Sequence, residues 1–303
     1  MEKTTDCTVQ VLMSTYNGQK YVEEQIASIE QQQNVKVQLL IRDDSSTDLT
    51  VDCVERLSRQ YGNIHLIQGE NMGPCKSFFT LVTMAEETCE YYAFSDQDDV
   101  WKTEKLSRAV EKLKVYKEEP AIYCSRVELV DAEKNPLPDE GLVLKKQPDF
   151  SNALVENICT GCTLVWNRAF QKIIQHNIPA YTIMHDWWFY LIGSAFAHVI
   201  YDDWQSIYYR QHGNNSVGIA ASKTKKWKRR LRAFREQNQN LQRQITALLN
   251  IELPEEKRSL VKQICQARKH PTLRWKLWRQ RAIYRQGRID NWIYQVLLLL
   301  GKI

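Results

Sequence analysis

Asp96-Gln97-Asp98-Asp99 sets three carboxylates within four residues, directly after an apolar run. Like charges this close repel one another unless a cation or solvent separates them. Oxygen ligands of this kind suit Mg²⁺ or Mn²⁺, which also bridge phosphates. A second acidic pair, Asp43-Asp44, closes another apolar run. A carboxylate there can accept the imide N–H of uracil or thymine, or a ribose hydroxyl. Tyr16 can stack on such a base. The plainer readings are a solvated acidic turn, a helix cap and a packed tyrosine. The chain has no GxGxxG and no GxxxxGK followed by Ser or Thr, so dinucleotide and P-loop readings lose support. Without a glycine-rich cradle, a diphosphate would be held through a metal.

These clusters need elements to carry them. Thr8–Met13 reads as a short apolar strand, and Tyr21, Val22, Ile26 and Ile29 then recur at helical spacing. Val35–Ile41, Ile64–Ile67 and Tyr91–Ser95 read as further strands. Helices are expected up to Tyr61 and from Asn71–Lys76 to about Glu87. Strands alternating with helices predict an α/β fold with right-handed crossovers and a mostly parallel sheet. Ligands then bind beyond the C-terminal ends of the strands. The polar segments 14–17, 43–48, 71–76 and 96–99 all follow strand ends, so one site is expected from four loops. Farther on, Thr103–Lys117 and Asp186–Phe196 read as helices. Ala121–Val130, Cys159–Trp166, Val199–Tyr201 and Ser206–Tyr209 read as strands, and the chain after 222 as helices.

Val-Leu-Met-Ser-Thr-Tyr-Asn-Gly (11–18), Ile-Arg-Asp-Asp-Ser-Ser-Thr-Asp (41–48), Asn-Met-Gly (71–73) and Ser-Asp-Gln-Asp-Asp-Val-Trp (95–101) resemble family 2 glycosyltransferases of the GT-A fold. His-Asp-Trp-Trp (185–188) and Tyr-Arg-Gln-His-Gly-Asn-Asn (209–215) are similar to the rhamnosyltransferase-like branch of bacterial cell-surface polysaccharide synthesis. The resemblance spans about residues 8–218. It implies an inverting, metal-dependent transfer of a sugar from a nucleoside diphosphate to a lipid-linked saccharide. dTDP-L-rhamnose is the best guess for the donor, with a UDP-hexose as the alternative. By position, Ser14, Tyr16 and Asp44 or Asp43 would hold the nucleoside. Asp96 would meet the ribose or the metal, and Asp98 the divalent cation. Asp186 stands where the family keeps its base, with His185 in place of the frequent Glu.

The residues agree with that chemistry. Inversion is a single displacement at the anomeric carbon and needs a group to deprotonate the acceptor hydroxyl. Asp186, at an expected helix start, can do this, and the helix dipole favours its ionised form; capping is its plainer role and His185 its rival. Arg210 could pair with phosphate and His212 complete the metal shell. Lys76 could reach the diphosphate. Trp187 and Trp188 could form a sugar platform, although their apolar neighbours suggest core. A sugar nucleotidyltransferase would carry a glycine-rich loop where this chain has Ser-Thr-Tyr-Asn-Gly. A non-catalytic, membrane-docked protein on the same fold is the other alternative.

Charge divides the chain. Residues 1–222 hold 20 Lys+Arg against 31 Asp+Glu, and residues 223–303 hold 21 against 5. The net charges are −11 and +16, behind an overall +5. We therefore expect a catalytic domain over 1–222 and a basic, aromatic helical region over 223–303 for an anionic membrane surface or for packing. In 223–235, eight of thirteen residues are basic, and Trp227, Leu231 and Phe234 share one helical stripe. No recognised nucleic-acid module accompanies this charge. With no 18-residue apolar run, no signal-peptide pattern and scattered cysteines, the expected location is cytoplasmic, peripheral on the inner membrane face.

Overall fold

Val9, Val11, Leu12 and Met13 are all sealed from solvent, on both faces of their strand. That is the signature of a central parallel strand covered on each side. In the computed structural model, which describes residues 7–138, 144–211 and 239–303, this strand is β1 (Cys7–Thr15). The chain forms two compact units. The first draws on residues 1–142, 159–176 and 197–214, and the second on 143–158, 177–196 and 215–303.

In the first unit β1 runs parallel to β2 (Val35–Asp43) and to β4 (Tyr91–Ser95), and β3 (Ile64–Gln68) extends the sheet beyond β2. The crossovers are α1 (Val22–Glu30), α2 (Thr50–Tyr61) and α3 (Pro74–Met84). Thr15 pairs with Asp43 at the last position of the β1–β2 ladder, so the next two loops leave side by side. The other half of the sheet is mixed. β7 (Val165–Asn167) is antiparallel to both β4 and β6 (Ala121–Val130). β8 (His198–Arg210) is parallel to β6, and the two-residue β5 (Val100–Trp101) lies antiparallel on β8. The strand order is β3-β2-β1-β4-β7-β6-β8-β5. α4 (Lys105–Leu113) buries Leu106, Ala109, Val110 and Leu113 on one face.

Some expectations are corrected. Cys159–Trp166 is not one strand: Gly161–Thr163 is a 3₁₀ turn, closed by Thr163 N–H and Oγ1 on the Thr160 carbonyl. An apolar run without alternation cannot separate a strand from buried coil. Val199–Tyr201 and Ser206–Tyr209 are parts of the single strand β8, whose register against β6 shifts at Ser125–Arg126 and Arg126–Glu128. α6 (Arg168–Gln175) was not anticipated, although Asn167 is a standard cap and accepts from the Phe170 N–H.

The second unit is helical. It holds α5 (Phe150–Ala153), α7 (His185–Phe196), residues 239–247 of a helix (α8), α9 (Glu255–Ala267), α10 (Pro271–Arg279) and α11 (Arg288–Leu299). α7 is apolar nearly all round and buried accordingly. Trp187 and Trp188 are both core residues, with indole N–H groups on the Ala153 and Asn177 carbonyls. They form no sugar platform. Lys257 of α9 caps the end of α7 through the Ser194 and Ala195 carbonyls, at 3.0 and 2.6 Å. Among the described residues no helix is long and apolar enough to cross a membrane.

Candidate active site

Four strand-end loops of the first unit are stitched together by hydrogen bonds. After β1, the Asn17 N–H donates to Ser46 Oγ (2.9 Å), and Asn17 Oδ1 accepts from the Thr47 N–H (2.8 Å). Gly18 N–H reaches Thr50 Oγ1 at 2.8 Å, and Ser14 Oγ donates to Ser77 Oγ of α3 at 2.7 Å. The convergence expected of segments 14–17, 43–48, 71–76 and 96–99 is thus realised. Tyr16 stands on this surface, 48% exposed.

Asp43 and Asp44 are both buried, with different work. Asp43 Oδ2 accepts from Thr15 Oγ1 and Ser46 Oγ, and Oδ1 from the Ser46 N–H, so it shapes its own loop. Asp44 turns to the third loop. It pairs with Arg42 and accepts the N–H groups of Met72 and Gly73 (3.1 and 2.8 Å). Gly73 has φ +79° and ψ 159°, a conformation essentially reserved for glycine. That backbone lets the loop present its amides to Asp44. Arg42 and Asp44, two apart, project on the same side of extended chain.

The acidic turn follows β4. One ligand atom each from Asp96, Asp99 and Cys162 lies within 4.8 Å of the others. Asp98 is half-buried in the same turn, and His212 lies outside the described residues. Burial holds the Asp99 carboxyl well above the usual carboxylate range, and the Asp96 and Asp98 charges add to this. Asp99 Oδ2 is buried without a hydrogen-bond partner. Crowded carboxylates with an unused oxygen fit a divalent cation. Beneath the turn lies Lys105, fully buried, with Nζ 3.2 Å from the Trp101 ring centroid and its pKa pushed down to about 7 by burial.

Gln97 joins this turn to the first loop. Its Oε1 accepts the Tyr16 N–H at 2.8 Å and its Nε2 donates to the Tyr16 carbonyl at 3.0 Å. The side chain lies over Gly18, where a Cβ would come within 2.2 Å of Gln97 Oε1. Arg210 ends β8 and is buried. Its Nε donates to the Asp98 carbonyl (2.9 Å), one Nη to the Ala132 carbonyl (2.7 Å) and the other to Glu24 (2.6 Å). Its N–H donates to Asp99 Oδ1 at 3.1 Å. Those partners make Arg210 a brace for the acidic turn, with its guanidinium engaged by protein. Lys76 is exposed in the first turn of α3.

Asp186 lies in the second unit, in the first turn of α7, where its Oδ1 accepts the Trp187 N–H at 2.6 Å. It thereby satisfies one of the unpaired first-turn amides of its helix, and it is half-buried. His185 beside it is fully buried, and desolvation pushes its pKa down to about 3. Gln97, Arg42, Glu24 and Lys105 are not singled out by the sequence. Only Arg42 carried a local signal, its same-side spacing from Asp44.

Residues 10–174 match the family model described as Glycosyl transferase family 2. The dTDP-rhamnosyl transferase RfbG of Shigella flexneri is 32% identical over 228 residues, covering 72% of this chain and 77% of that protein. Among solved structures, S. aureus TarS in complex with UDP-GlcNAc superposes with a TM-score of 0.59 at 18% identity, covering 96% of this chain and 79% of that one. The mannosyltransferase PcManGT from Pyrobaculum calidifontis, in complex with GDP-Man and Mn²⁺, gives 0.56 at 15% identity, covering 99% and 87%.

Proposed function

The chain belongs to glycosyl transferase family 2, and from that premise we propose that it transfers L-rhamnose from dTDP-L-rhamnose, with inversion, to a hydroxyl of a lipid-linked saccharide. The observation that carries this reading is the knitting of four strand-end loops around Tyr16, Asp44 and the Asp96–Asp99 turn. In this reading residues 1–222 form the GT-A catalytic domain and residues 223–303 a basic extension. Tyr16 stacks on the base, and Ser14, Asp43 and Asp44 line the nucleoside. Asp44, set by Arg42 and two backbone amides, needs little reordering when the nucleotide arrives.

Asp96 and Asp98, together with Asp99, would hold Mn²⁺ or Mg²⁺. The cation, when bound, is a Lewis acid for the departing diphosphate. Arg210 keeps the turn in shape from below, His212 joins the cation's shell, and Lys76 reaches the diphosphate. Asp186 takes the proton of the acceptor hydroxyl as the acceptor oxygen attacks the anomeric carbon. Buried, uncharged His185 leaves that task to the carboxylate. The enzyme works at the inner face of the membrane, where a lipid-borne acceptor would be presented.

The likeness to TarS, whose structure holds UDP-GlcNAc, supports a second reading with a UDP-hexose donor. The purified chain incubated with radiolabelled dTDP-L-rhamnose and UDP-hexoses, with and without Mn²⁺, separates the two. The expected result is metal-dependent transfer from dTDP-L-rhamnose, lost in Asp98→Ala. Absence of transfer or hydrolysis with every donor, and intact donor binding in Asp98→Ala, would overturn the proposal.

A further inference from the structure

α11 is apolar on two faces. Its inner face buries Tyr294, Leu297 and Leu298. Ile289, Trp292, Val296 and Leu300 recur at i, i+3, i+7 and i+11, a single stripe on another side. Of these, Ile289 is 69% exposed, Trp292 68% and Leu300 59%. A helix packed on a soluble core normally turns polar residues outward. α10 packs beside α11, and its Trp275 is 56% exposed and stacked on Trp278 with ring centroids 4.8 Å apart. The setting is strongly basic. Residues 268–303 contain nine Lys+Arg and one acidic residue, Asp290. Lys276, Arg279, Arg281 and Arg288 are exposed around the aromatic groups.

Exposed apolar groups need an occupant. Here the cations choose among the candidates. A second copy of this chain would set like charges against one another, which opposes pairing. An anionic bilayer offers negative headgroups for the cations and an interfacial zone that suits Trp. We infer that the outer face of α10 and α11, centred on Trp275, Ile289 and Trp292, is a docking surface for an anionic lipid bilayer. The inference rests on the reading of this chain as a transferase acting on a lipid-borne acceptor, and it names the surface that brings the enzyme there. The helices lie flat, with the apolar stripe at the acyl boundary and the cations at the headgroups.

The test uses the full chain and two variants, Ile289→Ser/Trp292→Ser and Trp275→Ser. All three positions are exposed, so the fold is expected to survive, and circular dichroism checks this. Partitioning is measured by flotation with vesicles of equimolar phosphatidylglycerol and phosphatidylcholine, and of phosphatidylcholine alone. The wild type is expected to bind the anionic vesicles, to bind less in high salt, and to show a blue-shifted Trp emission when bound. The double variant is expected to lose about tenfold or more in partition coefficient, since two large apolar groups no longer leave water. Equal binding by the wild type and both variants would overturn the inference, as would a wild-type dimer in sedimentation that Trp292→Ser makes monomeric. Transfer to a water-soluble acceptor is measured in parallel. Transfer without vesicle binding sinks the docking surface and leaves the transferase reading standing. Vesicle binding without transfer from any donor does the reverse.

Discussion

Substituting Gly18 by Ala tests the Gln97 clamp without touching any group assigned to the donor or the cation. Gly18 lies outside the left-handed region, so alanine is acceptable to its backbone. The new Cβ would stand 2.2 Å from Gln97 Oε1 and 2.6 Å from its Cδ. That overlap expels the flexible amide and breaks both of its bonds to the Tyr16 main chain. Each neutral hydrogen bond contributes about 0.5–1.5 kcal/mol net, and this pair is solvent-accessible, so the loss is about 1–2 kcal/mol. Gln97→Ala removes the same two bonds. In that background Gly18→Ala has nothing left to expel, and it should be neutral or stabilising by about 0.4–1 kcal/mol through the unfolded chain. The double-mutant cycle is therefore expected to give a coupling of about 1–2 kcal/mol. Urea unfolding midpoints provide one measurement. Uridine or thymidine diphosphate affinity with Mn²⁺ provides the other, where a tenfold change corresponds to about 1.4 kcal/mol. If Gly18→Ala costs the same with and without Gln97, the clamp does not exist as described.

Asp186→Asn should lower kcat by about 10²–10⁴ while donor affinity by calorimetry stays within a few-fold, because it removes the proposed base and no proposed donor contact. Arg210→Lys keeps a charge for Glu24 but cannot reproduce three separate contacts. It should destabilise by roughly 2–3 kcal/mol and weaken Mn²⁺ binding, read by the metal's electron paramagnetic resonance signal. His185 titrates near 6.5 when unfolded and about 3 when folded. Between those values the unfolded chain binds a proton that the native one does not, so stability falls as pH drops below about 6.5, by up to ~1.4 kcal/mol per pH unit. His185→Gln should flatten that acid limb of the urea midpoint. An unchanged slope would mean that the imidazole is not kept neutral by its burial.

The central strands are legible because each carries a short, mainly apolar stretch, and the chemistry-bearing loops follow those stretches. Val35–Asp43 and Tyr91–Ser95 appear almost where the sequence puts them. The positions of Tyr16, Asp44 and the acidic turn followed from the rule that ligands sit beyond strand ends. The supports of the site were not legible. Gln97 meets Tyr16 across 81 residues of chain, and Arg210 meets Glu24 across 186. No local pattern encodes such pairings. The sequence offers Arg210 as a phosphate partner, whereas it terminates a strand and its guanidinium meets protein acceptors. Trp187 and Trp188 illustrate the opposite trap: aromatic residues beside a catalytic candidate suggested a ligand platform, yet α7 is buried nearly all round.

The interleaving of the two units bears on how such a chain can be altered. The second unit takes three separate stretches of sequence, and Asp186 sits in the middle one, flanked on both sides by stretches of the first unit. Gln244 receives the Thr182 hydroxyl and the Ile183 N–H, and Glu156 receives the Gln286 N–H, so late helices complete what earlier segments begin. A single crossover between two genes cannot exchange one unit for another intact. A stop codon near residue 222 would strip α7 and the segment before it of the Gln244 and Lys257 contacts. Changes of specificity would have to accumulate by point substitution on exposed faces, with the shared core carried along unchanged.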